Sequence, residues 1–164
     1  MDPLDHFVAH ARALGGPAHA PPTARPTTGV LIVTCMDARI DPVRMFGLAS
    51  GDSHIVRNAG AVVTEDVIRS VAVSQQMLGT RHVMVMGHTG CGLEGLSEES
   101  FADQLEKVAG TRPRWTAGTF ADVADSVADA VRRLTDSPFV VTEGPVRGFV
   151  YDVSSGRLDE VRPL

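Results

Sequence analysis

The chain has 164 residues, a length typical of one domain. Its 15 basic and 20 acidic residues give a formal net charge of -5, and 43% of the residues are hydrophobic. The apolar fraction excludes a disordered polar chain, and the acidic balance argues against a nucleic-acid partner or a polybasic membrane anchor. The two cysteines, Cys35 and Cys91, are too few for a disulfide scaffold or a four-cysteine zinc module. Three alternatives remain for them: one disulfide, two buried thiols, or two metal ligands.

Residues 1–28 are predicted to form an N-terminal helical arm. Apolar residues spaced by three and four predict a helix over residues 3–14, and the next stretch, 15–28, is rich in glycine and proline. A short helix on such an arm cannot bury its apolar side alone, so we expect it to dock on the body or on another subunit. The sequence shows neither a secretory signal nor an apolar run long enough to span a bilayer, which favours a cytoplasmic location.

Residues 29–164 are expected to form one α/β domain. The clearest predicted element is a helix over 64–78, because Thr64 is a suitable N-cap and Gly79 can end the helix. It lies between two apolar runs typical of buried strands, and the order strand, helix, strand indicates parallel strands. We therefore predict a mostly parallel β-sheet flanked by helices, with a C-terminal strand hairpin. The other predicted elements are strands at 29–34, 54–57 and 81–86, helices at 97–108 and 120–134, and hairpin strands at 148–153 and 157–161.

Two polar clusters directly follow predicted strands, CMDAR at residues 35–39 and GHTGCG at residues 87–92. Ligands of open α/β sheets bind at the carboxyl ends of the strands, so neighbouring strands would bring Cys35, His88 and Cys91 together. Two thiolates and one imidazole suit Zn²⁺, and three protein ligands leave a fourth position open, as in catalytic zinc sites. The sequence therefore predicts a zinc site at this edge of the sheet.

Asp37 and Arg39 lie two residues apart, so both side chains can face the same side as Cys35. Asp37 can ligate zinc and close the site, or pair with Arg39 and accept a hydrogen bond from zinc-bound water, which leaves the site open. Three plainer alternatives stay open. The cysteines could be core residues, Asp37 could complete a structural zinc site, and the Asp37–Arg39 pair could be a solvated surface pair.

These motifs resemble those of the β-class carbonic anhydrases. Residues 35–39 resemble the C-x-D-x-R signature of that family, and residues 87–92 resemble its H-x-x-C signature. The RNAGA segment at residues 57–61 is similar to the family's R/K-N-A-G segment. The resemblance extends from about residue 29 to the final hairpin and is closest to the compact prokaryotic branch.

The resemblance implies a zinc lyase that hydrates carbon dioxide reversibly to bicarbonate and a proton through zinc-bound hydroxide. One zinc ion per subunit would be held by Cys35, His88 and Cys91, with Asp37 as a fourth ligand in a closed form or as the partner of Arg39 in an open one. The family resemblance also implies a homodimer, sometimes doubled to a homotetramer, in which the N-terminal helix reaches across to the partner subunit.

The substrate is therefore expected to be a small, neutral, linear gas. Ala59 and Gly60, with nearby apolar side chains, are expected to shape a small dry pocket for it. Two further functions remain open. One is hydrolysis of carbonyl sulfide or carbon disulfide on the same zinc site, and the other is a non-catalytic, zinc-stabilised binding protein.

Overall fold

A computed structural model describes residues 3–14, 23–141 and 143–161. Within these ranges one sheet has the strand order β2-β1-β3-β4-β5, which confirms the predicted α/β class. The first four strands are parallel, and β5 runs antiparallel to β4 as the predicted hairpin. The strands are β1 (Val30–Cys35), β2 (Ser53–Asn58), β3 (His82–His88), β4 (Val146–Tyr151) and β5 (Leu158–Val161).

The helices begin and end at residues whose local chemistry explains the boundaries. The Thr64 hydroxyl accepts a hydrogen bond from the Val67 amide at the start of α3, and Gly79 ends that helix in the left-handed conformation. The helix predicted from residue 120 starts three residues later, because the Asp122 carboxylate caps it there. The helices are α1 (Pro3–Leu14), α2 (Pro42–Met45), α3 (Glu65–Leu78), α4 (Glu98–Ala109) and α5 (Val123–Thr135), and a 3₁₀ turn covers Ala59–Ala61.

The main hydrophobic core lies between one face of the sheet and helices α3 and α5. Val33 and Val85 from the sheet meet Val71 and Val127 from these helices, and all four are buried. Each such side chain stabilises the fold by about 1.5–3 kcal/mol when it leaves water. A Cβ on Gly87 would lie 2.8 Å from Val127 Cγ2, so α5 packs directly on the end of β3. The strand that ends in His88 therefore has rigid support.

Helix α1 presents an apolar side that the rest of the described chain does not cover. Leu4, Phe7 and Val8 are 64%, 66% and 44% exposed. Residues 15–22 of the predicted linker lie outside the described residues, so the division between residues 1–28 and 29–164 stays a prediction. None of the described helices combines the length and the apolar character needed to cross a bilayer.

Candidate metal centre

The sheet brings the three predicted metal ligands together. Cys35 is the last residue of β1 and His88 the last of β3, and these strands are neighbours with Thr34 opposite Met86. Cys91 follows after a turn in which Gly90 takes a φ of 63°, a conformation that favours glycine. The three ligand atoms lie within 4.8 Å of one another, and all three residues are buried. Both cysteines are free thiols, so the disulfide alternative finds no support.

The hydrogen bonding of His88 fits a metal ligand. Its Nδ1 lies 3.0 Å from the Thr89 carbonyl oxygen, which can only accept, so Nδ1 donates this hydrogen bond and Nε2 is the nitrogen left to bind a metal. Within the described chain, this buried Nε2 has no hydrogen-bond partner. An unsatisfied buried polar atom costs about 1–3 kcal/mol, and a metal ion at Nε2 removes that cost.

The two thiols complete a donor set that suits zinc. Zn²⁺ prefers sulfur and imidazole nitrogen ligands, whereas hard cations such as Mg²⁺ prefer oxygen ligands. Burial raises the pKa of the Cys91 thiol, which therefore holds its proton more tightly than an exposed cysteine does when no metal is bound. Metal binding must displace that proton, so affinity at this site depends on pH.

Asp37 is paired with Arg39 in the structure. Arg39 Nε and Nη2 donate to Asp37 Oδ1 and Oδ2 at 2.9 Å and 2.7 Å, and the Arg39 amide donates to Oδ1 at 2.9 Å. These bonds, above all those from the guanidinium, hold the pKa of Asp37 well below its usual range. The Asp37 side chain is 19% exposed and its Oδ2 lies 3.7 Å from His88 Nε2. This position beside the ligands argues against a solvated surface pair.

Arg39 also connects the two ligand loops. Its Nη2 donates to the Gly90 carbonyl oxygen at 2.9 Å, one residue before Cys91. The guanidinium thus holds Asp37 on one loop and the backbone next to Cys91 on the other. The carboxylate and the metal ligands are therefore fixed relative to each other.

The 3₁₀ turn that contains Ala59 and Gly60 follows β2 beside the site. Asn58, the residue before the turn, is the register partner of Cys35. Gly60 is buried with a φ of 72°, and a Cβ there would lie 2.8 Å from Leu93 Cδ1 and 3.3 Å from Phe120 Cε1. The turn therefore packs closely against two apolar side chains, and the pocket role of Ala59 and Gly60 stays a prediction.

Four residues at the site have roles that the sequence alone did not indicate. Arg57 belongs to the RNAGA segment, but its contacts with the loop after β1 were not predicted. Thr89 lies inside the GHTGCG motif, but its contact is made by the backbone carbonyl oxygen, which every residue has. The sequence therefore could not indicate it. Leu93 and Phe120 are far apart in the chain and meet only through the fold, where the Phe120 amide donates to the Leu93 carbonyl oxygen at 3.3 Å.

The comparisons with known proteins agree with this geometry. Residues 30–158 match the carbonic anhydrase family. The chain is 41% identical over 162 residues to beta-carbonic anhydrase 1 of Mycobacterium tuberculosis, with 99% of this chain and 97% of that protein covered. This chain belongs to the β-carbonic anhydrases. A crystal structure of carbonic anhydrase from Streptococcus mutans matches this β-carbonic anhydrase with a TM-score of 0.89 and 39% identity over 99% of both chains.

Carbon disulfide hydrolases are more distant relatives. The enzyme of that name from Acidithiobacillus thiooxidans is 26% identical over 148 residues, with 77% of this chain and 74% of that protein covered. Both the identity and the coverage are lower than for the mycobacterial carbonic anhydrase. The similarity therefore favours carbonic anhydrase over carbon disulfide hydrolase.

Proposed function

We propose that this protein is a zinc-dependent carbonic anhydrase, which hydrates carbon dioxide reversibly to bicarbonate and a proton. The observation that carries the proposal is the cluster of Cys35, His88 and Cys91 within 4.8 Å, with the Asp37–Arg39 pair beside it. A purely structural zinc site would need a fourth protein ligand permanently in place. Asp37 is engaged by Arg39 instead, so it would not serve as that fourth ligand.

Cys35, His88 and Cys91 would hold one zinc ion per subunit. Zinc bound there supplies a Lewis acid that lowers the pKa of water towards neutrality and so provides a nucleophile. The Nδ1 hydrogen bond to Thr89 fixes the imidazole of His88 with Nε2 facing the two sulfurs. The contact with Thr89 would therefore orient the imidazole towards the ion.

Asp37 and Arg39 would orient the water that attacks carbon dioxide. Because its pKa is lowered, Asp37 stays ionised and can only accept hydrogen bonds at neutral pH. It can accept a hydrogen bond from the attacking water and turn an oxygen lone pair towards the substrate carbon. Arg39 keeps the carboxylate in that orientation through its two parallel hydrogen bonds.

Ala59 and Gly60 would line the substrate pocket together with Leu93 and Phe120. Carbon dioxide has no charge, so an apolar wall binds it without the desolvation cost that an ion would meet. The same wall excludes bulk water from the reacting atoms. Bicarbonate is charged and strongly hydrated, so the apolar pocket favours its release.

The functional unit is proposed to be a homodimer or a dimer of dimers. The exposed apolar side of α1, formed by Leu4, Phe7 and Val8, supports this proposal because it needs a covering surface. Residues 1–28 would act as the arm that packs on the partner subunit. A cytoplasmic location remains an expectation from the sequence.

Stopped-flow measurement of carbon dioxide hydration tests the function on protein with verified zinc content. We expect hydration well above the buffer rate between about pH 7 and pH 9, where zinc-activated water is available. Release of hydrogen sulfide from carbonyl sulfide and carbon disulfide is measured in parallel. Faster sulfide release than hydration would favour the hydrolase function. A zinc-loaded protein with neither activity would support a zinc-stabilised binding protein.

A further inference from the structure

Arg57 makes an unusual set of contacts for an exposed residue near the end of an edge strand. Its Nε donates to the Cys35 carbonyl oxygen at 3.0 Å, and its Nη2 donates to the Asp37 carbonyl oxygen at 2.8 Å. One guanidinium therefore bridges two carbonyl groups that lie two residues apart. Those carbonyls belong to a predicted zinc ligand and to the carboxylate residue beside the zinc site.

Backbone hydrogen bonds also hold the loop that follows β1. The Met36 amide donates to the Asn58 carbonyl oxygen at 2.8 Å, and the Ile40 amide donates to the Asp37 carbonyl oxygen at 3.0 Å. The end of β2 is thus hydrogen-bonded to the loop in two ways, through the Asn58 backbone and through the Arg57 side chain. Of these contacts, only the Arg57 bonds depend on the identity of a side chain.

The chemistry of this contact favours arginine over other cations. The planar guanidinium presents donors in a rigid fork, whereas a lysine ammonium is a point charge on a flexible stem. Arg57 forms no ion pair with a carboxylate of the described residues, so both donors stay committed to the loop. It is exposed and belongs to neither apolar cluster. Its removal should therefore leave the hydrophobic core intact.

We propose that Arg57 is a positioning residue that fixes the backbone from Cys35 to Asp37, so that thiol and carboxylate are presented in the geometry required for the metal. This role rests on the proposed zinc site. Arg57 touches neither the substrate nor the ligand atoms and acts through the two carbonyl groups. Partners behind metal ligands change metal affinity by about 10–100-fold when they are lost.

The test compares three variants with the wild-type protein. Arg57→Met removes the donors and keeps most of the length, and Arg57→Lys keeps the charge with a different donor geometry. Arg69→Met is the matched control, because Arg69 is an exposed arginine whose guanidinium pairs with Asp66 on the surface of α3. Zinc affinity is measured by competition with a chelator. The visible absorption spectrum of the cobalt-substituted protein reports the ligand geometry, and the thermal midpoint of the metal-free protein reports the fold.

We expect Arg57→Met to bind zinc about 10–100-fold more weakly than the wild type and to change the cobalt spectrum. Arg57→Lys should recover part of the affinity, and Arg69→Met should match the wild type. The metal-free midpoint should be nearly the same in all four proteins. Wild-type affinity and spectrum in Arg57→Met would overturn the proposal, as would a large drop in its metal-free midpoint without recovery by lysine.

The readouts separate this proposal from the proposed function, because none of them needs turnover of carbon dioxide. A wild-type protein that binds zinc but hydrates no carbon dioxide contradicts the function and leaves the role of Arg57 intact. If the wild type hydrates carbon dioxide and the Arg57→Met variant binds zinc as tightly as the wild type, the function is supported and the role of Arg57 is contradicted.

Discussion

Four backbone carbonyl groups at the metal centre accept hydrogen bonds from side chains of the site. The Cys35 and Asp37 carbonyls accept from Arg57, the Gly90 carbonyl from Arg39, and the Thr89 carbonyl from His88. Each bond fixes the backbone at or beside a predicted zinc ligand. Because the loops are held in this way, the sulfur and nitrogen atoms stay within 4.8 Å although no covalent bond joins them.

Replacement of Cys35 by serine should lower zinc content and stability together. A hydroxyl is a poorer zinc ligand than a thiolate, so we expect the Cys35→Ser variant to hold much less than one zinc per chain. A ligand at a hundredfold excess over its Kd stabilises a fold by about 2.7 kcal/mol, and the variant should lose stabilisation of that order. Elemental analysis and thermal unfolding with and without zinc measure both effects. Met36→Ser is the control, since Met36 is exposed and adjacent to Cys35. A variant that retains full zinc would contradict the assignment.

Replacement of Asp37 by asparagine should separate catalysis from metal binding. The amide keeps the volume but cannot act as an ionised acceptor, so we expect the hydration rate to fall by about a hundredfold or more. Zinc content should remain near that of the wild type, because Asp37 is paired with Arg39 rather than held among the ligands. Stopped-flow assays on zinc-verified protein measure the rate, with the exposed Asp66→Asn as the control. An unchanged rate would remove Asp37 from the mechanism.

The sequence alone suggests the three candidate ligands because each follows a buried apolar run within a few residues. Cys35 and His88 end strands, and the carboxyl ends of parallel neighbours share one edge. The contact from Arg57 depends on the register that places Asn58 opposite Cys35, and no local pattern encodes that register. The meeting of Leu93 with Phe120 likewise depends on the packing of distant segments.

At the scale of the elements, Glu98 ties α4 to the loop that carries Phe120. Its carboxylate accepts hydrogen bonds from the amides of Ala117, Gly118 and Thr119 at 2.6 Å, 3.2 Å and 3.3 Å. These bonds, the one from Ala117 most of all, lower the pKa of Glu98. Since Phe120 packs against Gly60, this carboxylate helps to hold one wall of the proposed substrate pocket.

A Glu98→Gln variant should be less stable than the wild type at neutral pH, and the difference should disappear in acid. The pKa of Glu98 is lower in the folded state than its ordinary value of 4.5, so its stabilisation is fully present above that value. The stabilisation is lost as the pH falls through the lowered folded pKa, because the wild-type carboxylate is then protonated. Thermal midpoints at pH 7 and at progressively lower pH measure the difference. Glu143→Gln is the control, because Glu143 is exposed and its ion pair with Arg81 is long, at 3.9 Å. A difference that does not vary with pH would contradict a role for the charge.

The boundaries of the helices show which local sequence signals are sufficient to predict where a helix begins and ends. Helix α3 follows its prediction because the cap at Thr64, the apolar spacing and Gly79 agree. Helix α5 starts after its predicted first residue because Phe120 continues the apolar pattern while forming a bridge with Glu94 instead. Helix α2 has four residues, too few for a periodic pattern, so sequence reasoning gave no sign of it.

At the scale of the whole molecule, the two faces of the sheet are covered unequally. Helices α3 and α5 bury one face, whereas the other carries a smaller cluster built around Ile40, Met86 and Phe149. That cluster is buried, whereas the apolar side of helix α1 is exposed in the part of the chain that the structure describes. A second copy of the chain would cover this side without any change in the fold of one subunit.

A charge placed on the apolar side of α1 should therefore weaken association of the subunits. Burial of a phenylalanine is worth about 1.5–3 kcal/mol, so Phe7→Asp should raise the dissociation constant of the oligomer by about tenfold to a hundredfold. Sedimentation over a concentration series measures that constant. Ala9→Asp is the matched control, because helical spacing places residue 9 on the opposite side of α1. Two results would show that this side of the helix does not pack on the partner subunit. One is an unchanged dissociation constant in Phe7→Asp, and the other is an equal increase in Ala9→Asp.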